Sequence, residues 1–519
     1  MLWPVTDTPK TTFSRRNLLL GAGGAAAFAL AGGGVGYALA GDDKPAANPT
    51  TAQPAAQVGP PKYRSRPDFR TLPDVTITVP ANGTTPGYIF LTPASGTGLW
   101  GPLMVDEKGS PVWFKKVPDP ATVAIDFKVQ QYRNRPVLTW WEGTIGGTGG
   151  QGVGQGEFVI ADRSYREITR VRAAGSEQAD QHDFVITPRG TALFWVYEPI
   201  PFDLSALGGP ANGVLHDGVI QELDIATGRK LFEWRTHEHI GIDESYAPLP
   251  QGSSAHLPYD YLHPNAVGLA ADGNIILSAR HTWGCYKVDP KTGKLIWRLG
   301  GKKSDFAVDD RAKFAWQHDF RQRRNGTYSV FDNGAGIPGA GKTRDYSRGL
   351  VLRLDEDKRT AAFVAEFVHP DKLSAPTQGS FRELADGGSF IGWGQMPYFT
   401  EHAPNGTVRL AGHLPLDNQS YRAYKAEWTG EPLDQPALGL RAEGNAVVVS
   451  ASWNGSTRVT KWRARSGAQP VALGGSVEAA RTGFETTLQV EDLPEYVVAE
   501  ALDASGKVLG ASSAIPVRV

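Results

Sequence analysis

Three histidines recur at one position of an internal repeat. His182, His263 and His318 each stand where a short apolar strand is predicted to begin. Arg280 and His281 end a further predicted strand, which adds a guanidinium and a fourth imidazole. Imidazoles exchange protons near neutral pH, and arginine binds sulfate, phosphate or carboxylate through two parallel hydrogen bonds. These residue types predict acid-base or group-transfer chemistry on an anionic substrate.

Two repeats alternate along the chain. The first consists of a polar residue, an apolar strand, a tight turn and a second apolar strand, and its copies begin at Asp126, His182, His263, His318 and Gly379. The second is a hairpin whose turns begin at Asp106, Asp162, Asp224, Asp289 and Asp355, with a sixth copy at 404–406. The five aspartates are 56, 62, 65 and 66 residues apart. This period is typical of propeller blades.

The predicted fold class is therefore all-β, with a six-bladed β-propeller over residues 63–428. The first strand of each propeller blade lines a central channel, so the histidines are expected to converge on one axis. Alternating segments after Trp428 predict an immunoglobulin-like or fibronectin-like β-sandwich over residues 429–519, with Trp453 and Trp462 in its core. The 53 basic and 54 acidic side chains nearly balance, which argues against a nucleic-acid partner.

The N-terminus carries a targeting motif. Arg15 and Arg16 directly precede an apolar run that ends at Ala38-Leu39-Ala40, which predicts a twin-arginine signal peptide over residues 1–40 and a disordered linker over 41–62. We therefore expect the twin-arginine machinery to export the protein to the cell envelope or beyond. An uncleaved anchor is the alternative, because the apolar run is long enough to span a bilayer. Cys285 is the single cysteine, so no intrachain disulfide can form.

Several segments resemble the bacterial arylsulfotransferase family, and most closely its shorter actinobacterial and fungal members. They are residues 259–265, 276–281, 297–301, 316–319, 330–334 and 346–348, within a likeness that runs from about Arg66 to Trp428. The resemblance implies a six-bladed propeller that transfers a sulfo group from a phenolic sulfate ester to a phenol through a transiently sulfated histidine. It also implies that the sulfo donor is not a nucleotide sulfate. Membership of this family would be compatible with a homo-oligomer.

The motifs also carry over residue roles. His263 and His318 match channel histidines of the family, and either Arg344 or Arg348 matches its sulfate-binding arginine. The catalytic candidates are His318, His263, His281, Arg280 and Arg348. The candidates for binding a phenolic or other anionic small molecule are His182, Arg321, Arg344, Gln395 and Tyr398. His402 is expected to face solvent.

The chain departs from the family at the nucleophile. Pro397 or Tyr398 occupies the slot of the histidine that is sulfated in the family. Three interpretations stay open: His318 or His281 serves as nucleophile, the channel performs different acid-base chemistry through His263, His318 and Asp319, or the propeller only binds a ligand at the cell surface.

A metal site is a further alternative. Three converging imidazoles from His182, His263 and His318 could hold zinc or copper. No carboxylate or cysteine repeats beside them, so we predict neither a metal nor a cofactor. Asp183 and Asp319 follow two of these histidines and are expected to point to the opposite face of the strand, where they would brace neighbouring blades.

Overall fold

The computed structural model describes residues 62–119, 121–146, 152–175, 177–250, 253–254, 257–336 and 341–518. Within these ranges the chain forms 34 strands in seven sheets and five short 3-10 helices. None of these helical turns is long and apolar enough to cross a membrane. The predicted signal peptide and almost all of the predicted linker lie outside the described residues. The prediction of an all-β protein is confirmed.

The strands are numbered in chain order. Strands β1 to β4 are Thr76–Val79, Tyr88–Leu91, Leu103–Val105 and Pro111–Phe114. Strands β5 to β8 are Val123–Tyr132, Arg135–Ile145, Gly154–Ala161 and Glu167–Val171, and β9 to β12 are Ala179–Ile186, Thr191–Phe202, Gly213–Asp224 and Lys230–Arg235. Strands β13 to β16 are Pro264–Leu269, Ile275–Ala279, Gly284–Val288 and Leu295–Gly300.

The remaining strands complete the chain. Strands β17 to β21 are Ala307–Val308, His318–Gln322, Tyr328–Asp332, Arg348–Asp355 and Thr360–Val368. Strands β22 to β26 are Ser380–Glu383, Ser389–Gly392, Tyr398–His402, Val408–His413 and Tyr424–Ala426. Strands β27 to β34 are Ala437–Glu443, Ala446–Ser452, Lys461–Gly467, Gly475–Ala480, Glu485–Glu491, Tyr496–Leu502, Val508–Ala511 and Ile515–Pro516. The 3-10 helices are Pro67–Phe69, Ser205–Leu207, Thr236–Glu238, Ile242–Glu244 and Asp310–Ala312.

The first 26 strands form five sheets of mostly antiparallel, sequentially connected strands. Their orders are β26-β2-β3-β4, β13-β14-β15-β16, β17-β21-β20-β19-β18 and β1-β25-β24-β23-β22. The fifth sheet has eight strands, because β5 to β8 and β9 to β12 are joined where Gly156 pairs with Ala179. Strands from opposite ends of this region close two sheets, since β1 pairs with β25 and β26 pairs with β2.

The repeated aspartates shape the hairpins as predicted. The Asp106 carboxylate accepts hydrogen bonds from the backbone N–H groups of Lys108 and Ser110, both at 2.9 Å. Asp224 accepts the N–H of Thr227 at 2.8 Å in the equivalent turn between β11 and β12. An aspartate that bonds its own backbone two or three residues ahead mimics a turn and stabilises it. The period read from the sequence therefore corresponds to the hairpins β3–β4, β7–β8, β11–β12, β15–β16, β20–β21 and β24–β25.

Apolar side chains fill the space between successive sheets. Phe158 of β7 stacks on Phe184 of β9 with ring centroids 4.3 Å apart, and Phe331 of β19 meets Trp393 after β23 at 5.8 Å. Six such clusters lie between six successive units of strands. The units are β2–β4 together with β26; β5–β8; β9–β12; β13–β16; β17–β21; and β22–β25 together with β1. Cys285 lies fully buried in one of the clusters. Both faces of each unit are thus covered by its neighbours.

Strands β27 to β34 form two further sheets, β27-β28-β31 and β30-β29-β32-β33 with β34 beside β32. Val449, Trp462, Leu488 and Ala499 contribute to one core shared by both sheets. Trp462 is buried as expected, whereas Trp453 is only half-buried and its indole N–H bonds the carbonyl of Asp434. The prediction for Trp453 is therefore correct only in part.

Candidate functional site

Five histidines come together where the first strands of neighbouring units begin. His182 lies on β9 and His216 on β11, while His263 directly precedes β13. His281 follows β14, and His318 is the first residue of β18. The ring centroids of His182 and His263 are 4.8 Å apart, and those of His263 and His281 are 4.7 Å apart. We call these five residues the histidine cluster.

In two of the five histidines, an aspartate carboxylate bonds one ring nitrogen. Nδ1 of His263 lies 2.5 Å from Oδ2 of Asp260, and Nδ1 of His182 lies 2.5 Å from Oδ1 of Asp180. Each carboxylate also accepts the backbone N–H of its histidine. Among the described residues, no hydrogen bond holds Nε2 of either ring. In a neutral ring that donates from Nδ1, Nε2 carries the lone pair and can attack; in a protonated ring, Nε2 carries a proton and can donate it, so the free Nε2 of each histidine can serve in either role.

The backbone of His263 has a left-handed conformation, which accompanies its bonds to Asp260. Its φ is 49°, a left-handed conformation that non-glycine residues seldom adopt. The two bonds to Asp260 hold the residue there. Strain of this kind is concentrated at functional sites.

His281 links the cluster to an arginine. Its Nδ1 donates to the backbone carbonyl of Asp260 at 2.6 Å, and its Nε2 accepts from Nη1 of Arg280 at 3.0 Å. Burial lowers the pKa of His281 to about 3, despite the nearby Asp260 carboxylate. Arg280 is also buried, and its guanidinium packs 5.1 Å from the ring centre of Trp316. His281 is therefore neutral and positions Arg280 beside the cluster.

His318 has partners on both nitrogens. Nδ1 donates to Oδ1 of Asn333 at 2.8 Å, and Nε2 accepts the backbone N–H of Gln378 at 3.2 Å. Burial, followed by the charge of Arg280, lowers its pKa well below the ordinary value. His318 and His281 thus lie in the predicted site but have no ring nitrogen free of protein partners. This arrangement favours His263 or His182 as a nucleophile over either of them.

Two tyrosines complete the site. Tyr421, which precedes β26, places its ring 5.8 Å from His182 and 6.4 Å from His318. Tyr197 of β10 lies 5.2 Å from His216 and donates its hydroxyl to the carbonyl of Pro264 at 3.0 Å. The sequence analysis missed both tyrosines, together with His216, Asp180 and Asp260. Only the aspartates had a local signal, because each precedes its histidine by two or three residues.

Three buried polar atoms around the cluster have no hydrogen-bond partner among the described residues. They are the hydroxyl of Tyr421, Nε of Arg280 and Oε1 of Gln378. Buried polar groups are rarely left unpaired, because each one costs about 1–3 kcal/mol. The three atoms are therefore polar groups beside the cluster that remain able to bond a small polar molecule.

A charged network lies beside the cluster at the starts of the same inner strands. It consists of Asp126, Lys128, Asp183, Asp319, Arg321, Arg382 and Arg422. Asp183 accepts the N–H of Val267, and Asp319 accepts the N–H of Phe381, both at 2.9 Å in the next sheet. Burial opposes ionisation of Asp183, yet the neighbouring Arg321, Arg422 and Lys128 hold its pKa well below the ordinary value.

The network gives Arg321 a structural role. Its guanidinium bonds Asp183, Asp319 and the carbonyl of Val267, so its donors are engaged by protein groups rather than directed at the histidines. The aspartates brace adjacent sheets in the way the sequence analysis expected. Substrate binding by Arg321, which the sequence predicted, has no support in this geometry.

Arg348 is likewise engaged elsewhere. Nε bonds Asp332 at 2.9 Å, Nη1 bonds Glu366 at 2.8 Å, and Nη2 bonds two backbone carbonyls. Arg344 approaches the same Asp332 carboxylate at 3.4 Å with a side chain that is 28% exposed. Among the described residues, neither arginine bonds a member of the histidine cluster, whereas Arg280 bonds His281 directly.

The last sheet holds the remaining candidates. Gln395 does not contact His318 directly. It bonds Thr377, whose neighbour Gln378 donates its backbone N–H to His318. Tyr398 packs against His369 and His413. His402 is fully buried and bonds Thr400 and the carbonyl of Gly406, so the expectation that it faces solvent is wrong. It is buried because β24 is covered by the neighbouring unit, where Phe367 contacts its ring.

The sequence left open a metal site on His182, His263 and His318, but the group of possible ligands that the structure brings together is a different one. Within the part of the chain that the structure describes, Asp260, His263 and His281 form a group whose ligand atoms lie within 4.8 Å of one another. Asp260 and His263 already satisfy each other by a hydrogen bond, and His281 bonds a carbonyl and Arg280. The Asp260 carboxylate and Nδ1 of both histidines are therefore engaged in bonds that orient the rings, which leaves Nε2 of His263 as the one ring nitrogen of this group without a hydrogen bond among the described residues.

The protein is thus an all-β protein with a cluster of buried histidines. Aspartates hold two of these histidines, and an arginine lies beside them. The sequence model of the family described as Arylsulfotransferase (ASST) matches residues 128–413, which is more than half of the chain. The protein therefore belongs to the arylsulfotransferase family. The matched region includes all five members of the histidine cluster.

Other comparisons are more distant. No curated protein matches the chain. A solved protein of unknown function from Bacteroides caccae is 13% identical, with a TM-score of 0.37 over 66% of this chain and 99% of that one. A catalytically inactive virginiamycin B lyase from Staphylococcus aureus, solved with quinupristin, is 11% identical, with a TM-score of 0.32 over 64% of this chain and 94% of that one. Neither likeness carries a functional argument.

Proposed function

We propose that the units formed by β1 to β26 are the six blades of a β-propeller, and that β27 to β34 form a β-sandwich of immunoglobulin or fibronectin type. The six apolar clusters between successive units support the propeller. The first strands also follow one another around a ring, with β5 beside β9, β9 beside β13, β13 beside β18, and β26 beside β5. In this arrangement the histidine cluster lies at one mouth of the central channel.

The proposed reaction is transfer of a sulfo group from a phenolic sulfate ester to a phenolic acceptor. Membership of the arylsulfotransferase family supports a transferase. The observation that carries the specific proposal is the Asp260–His263 pair with its unoccupied Nε2. It supplies a nucleophile to a chain whose sequence lacks a histidine at the family's usual position.

In the first half-reaction, Nε2 of His263 attacks the sulfur atom. The bond between sulfur and the phenolic oxygen breaks, and His182 in its protonated form gives its proton to the departing oxygen. Asp260 stabilises the charge that develops on His263, and Asp180 holds the second imidazolium. Arg280 binds the sulfo oxygens through its free Nε, because guanidinium groups match oxyanions in geometry and charge.

The second half-reaction reverses these steps. The acceptor phenol gives its proton to His182, its oxygen attacks the sulfur, and the bond between sulfur and Nε2 breaks. The Tyr421 hydroxyl, which lies close to His182 and has no hydrogen-bond partner among the described residues, is placed to bond the phenolic oxygen. General acid-base assistance of this type contributes about 10²- to 10⁴-fold.

The test is release of nitrophenol from 4-nitrophenyl sulfate by the purified protein, with and without added phenol. We expect release that depends on phenol and that is lost in a His263→Ala variant. His413→Ala is the matched control, because that ring lies half-buried against Tyr398. Equal activity of the His263→Ala and unmodified proteins would reject the assignment of the nucleophile, and no release under any condition would reject sulfo transfer from this donor.

A further inference from the structure

A large cleft separates the C-terminal sandwich from the unit β5–β8. Its volume is about 1240 Å³. The hairpin between β5 and β6 and the turn between β7 and β8 form one wall. Residues 430–433 and the loop at Trp453 form the other. No member of the histidine cluster lines the cleft.

Hydrogen bonds between the two walls fix its shape. The Tyr165 hydroxyl donates to the carbonyl of Gly455 at 2.6 Å, and the backbone N–H of Glu431 donates to the carbonyl of Arg163 at 2.8 Å. Close by, the Asn454 side chain exchanges two hydrogen bonds with the backbone of Phe114. The cleft is therefore built by specific contacts between the sandwich and the rest of the chain.

The lining is strongly basic. Five arginines and two carboxylates, Asp162 and Glu431, line the cleft, so its lining residues carry a net charge of +3 on a chain whose total charge is −1. Asp503, outside the lining, also approaches Arg458 at 4.0 Å. The arginines are Arg133, Arg135, Arg163, Arg166 and Arg458. Such a local excess of positive charge attracts a polyanion.

Two of the arginines have no carboxylate partner. Arg163 and Arg458 pair with Glu431 at 3.0 and 3.1 Å, and Arg166 approaches Asp162 at 3.6 Å. Among the described residues, no ion pair includes Arg133 or Arg135. Both are exposed at the tip of the β5–β6 hairpin, where the Arg133 guanidinium lies 5.0 Å from the ring centre of Tyr132.

Apolar groups complete the lining opposite these charges. Trp453 is half-buried against the edge of the sandwich, and Leu433 and Ile168 are 68% and 46% exposed. A lining that combines an indole with guanidinium groups suits a ligand with both apolar ring faces and anionic substituents. The volume also exceeds the ~300–1,000 Å³ of most small-molecule pockets.

We propose that this cleft binds an acidic polysaccharide, with sugar rings against Trp453 and sulfate, carboxylate or phosphate groups against Arg133 and Arg135. The site is separate from the sulfo-transfer site and does not depend on it. It would hold the protein on an anionic glycan surface while the histidine cluster remains accessible. The shared chemistry is that of a sugar polymer carrying negative charge, whether its anionic group is sulfate or carboxylate.

The test is binding of the full chain to immobilised heparin and to polygalacturonate, with polyphosphate and neutral dextran as comparison polymers. We expect the first two to bind and dextran not to bind. The variant Arg133→Asn/Arg135→Gln should bind about tenfold more weakly, because two exposed ion pairs together change affinity by about that factor. Asparagine is chosen because residue 133 has a φ of 51°.

A matched control removes two exposed arginines from another hairpin. Arg353→Gln/Arg359→Asn alters the β20–β21 hairpin, where residue 359 also has a positive φ of 53°. We expect this control to bind within about twofold of the unmodified chain, since it only lowers the overall charge. Equal weakening in both double variants, or absence of heparin and polygalacturonate binding, would overturn the proposal.

A third variant separates sugar recognition from charge. Trp453→Leu should weaken polygalacturonate binding and leave polyphosphate binding unchanged, because polyphosphate has no ring to pack on an indole. Thermal unfolding of each variant serves to confirm that it is folded. If Trp453→Leu has no effect on either sugar polymer while polyphosphate binds as tightly as heparin, the cleft recognises charge alone and the polysaccharide assignment is wrong.

Discussion

Oδ2 of Asp260 lies 2.5 Å from Nδ1 of His263, and Oδ1 of the same carboxylate accepts the backbone N–H of that histidine at 3.0 Å. One side chain thus fixes both the ring and the left-handed backbone of its partner. The consequence is a histidine whose tautomer is set and whose Nε2 remains available.

Replacing Asp260 by Asn should impair catalysis more than binding. The amide cannot stabilise positive charge on His263, so we expect kcat to fall by about 10²- to 10⁴-fold. KM for 4-nitrophenyl sulfate should change little, because Arg280 still binds the sulfo group. Steady-state kinetics of Asp260→Asn beside Asp371→Asn, which alters a carboxylate near His369, measures both parameters. An unchanged kcat would contradict the role of Asp260.

Folding stability should decrease in acid because of His281. Its pKa in the folded protein is lowered to about 3, whereas an unfolded histidine titrates near ~6.5. The unfolded chain therefore binds more protons below pH ~6.5, so this contribution is complete above that pH and is lost as the pH falls toward about 3. At pH 5 the loss from this one residue is about 2 kcal/mol.

Denaturant unfolding at pH 7 and pH 5 checks this prediction. His281→Gln should show a smaller decrease in unfolding free energy between the two pH values than the unmodified chain. His413→Gln, which changes a half-buried ring, is the control. An identical pH dependence in the His281→Gln and unmodified proteins would show that His281 does not carry the effect.

Arg348 should matter for folding and not for substrate. Lysine cannot reproduce its bonds to Asp332, Glu366 and two carbonyls, so Arg348→Lys should cost about 3 kcal/mol of unfolding free energy. Arg344→Lys should cost less than about 1 kcal/mol, because its side chain is partly exposed. If instead Arg348→Lys keeps its stability and raises KM, the sulfate-binding role suggested by the family resemblance is correct.

Arg422 should anchor the centre of the fold. It is fully buried, and its guanidinium bonds Asp183 at 2.9 Å. Arg422→Met leaves buried carboxylates without that cation, so we expect a loss of about 3–5 kcal/mol in unfolding free energy. Arg409→Met, which breaks a partly exposed pair with Asp386, should cost less than about 1 kcal/mol.

A double variant tests the cause. Arg422→Met combined with Asp183→Asn removes an unpaired charge and should recover part of the loss. If the double variant is as destabilised as the sum of the two single variants, the carboxylate is not the origin of the effect.

The sequence predicted the elements well because their signals are local. Asp106 and its repeats specify turns through bonds to residues two to four positions ahead, and the strands between them alternate with a regular period. The strand-start position likewise placed His182, His263 and His318 in one cluster. Such features need no knowledge of which side chains meet in three dimensions.

The partners of those side chains could not be predicted. Nothing local distinguishes His318, whose Nε2 accepts from Gln378 sixty residues away, from His263, whose Nε2 has no such partner. Tyr421 reaches the cluster from the far end of the chain, where β26 closes the first sheet. Arg348 and Arg321 looked suited to an anion, yet distant carboxylates engage both of them.

In the proposed reaction, His263 carries the sulfo group between donor and acceptor. The most direct measurement is mass spectrometry of peptides from protein mixed with 4-nitrophenyl sulfate, without acceptor, and quenched under alkaline conditions. We expect one added sulfo group on the peptide that contains His263, and we expect it to disappear when phenol is added before the quench. A sulfo group on His182, His281 or His318 instead, or an unmodified protein that still forms sulfated product, would contradict it.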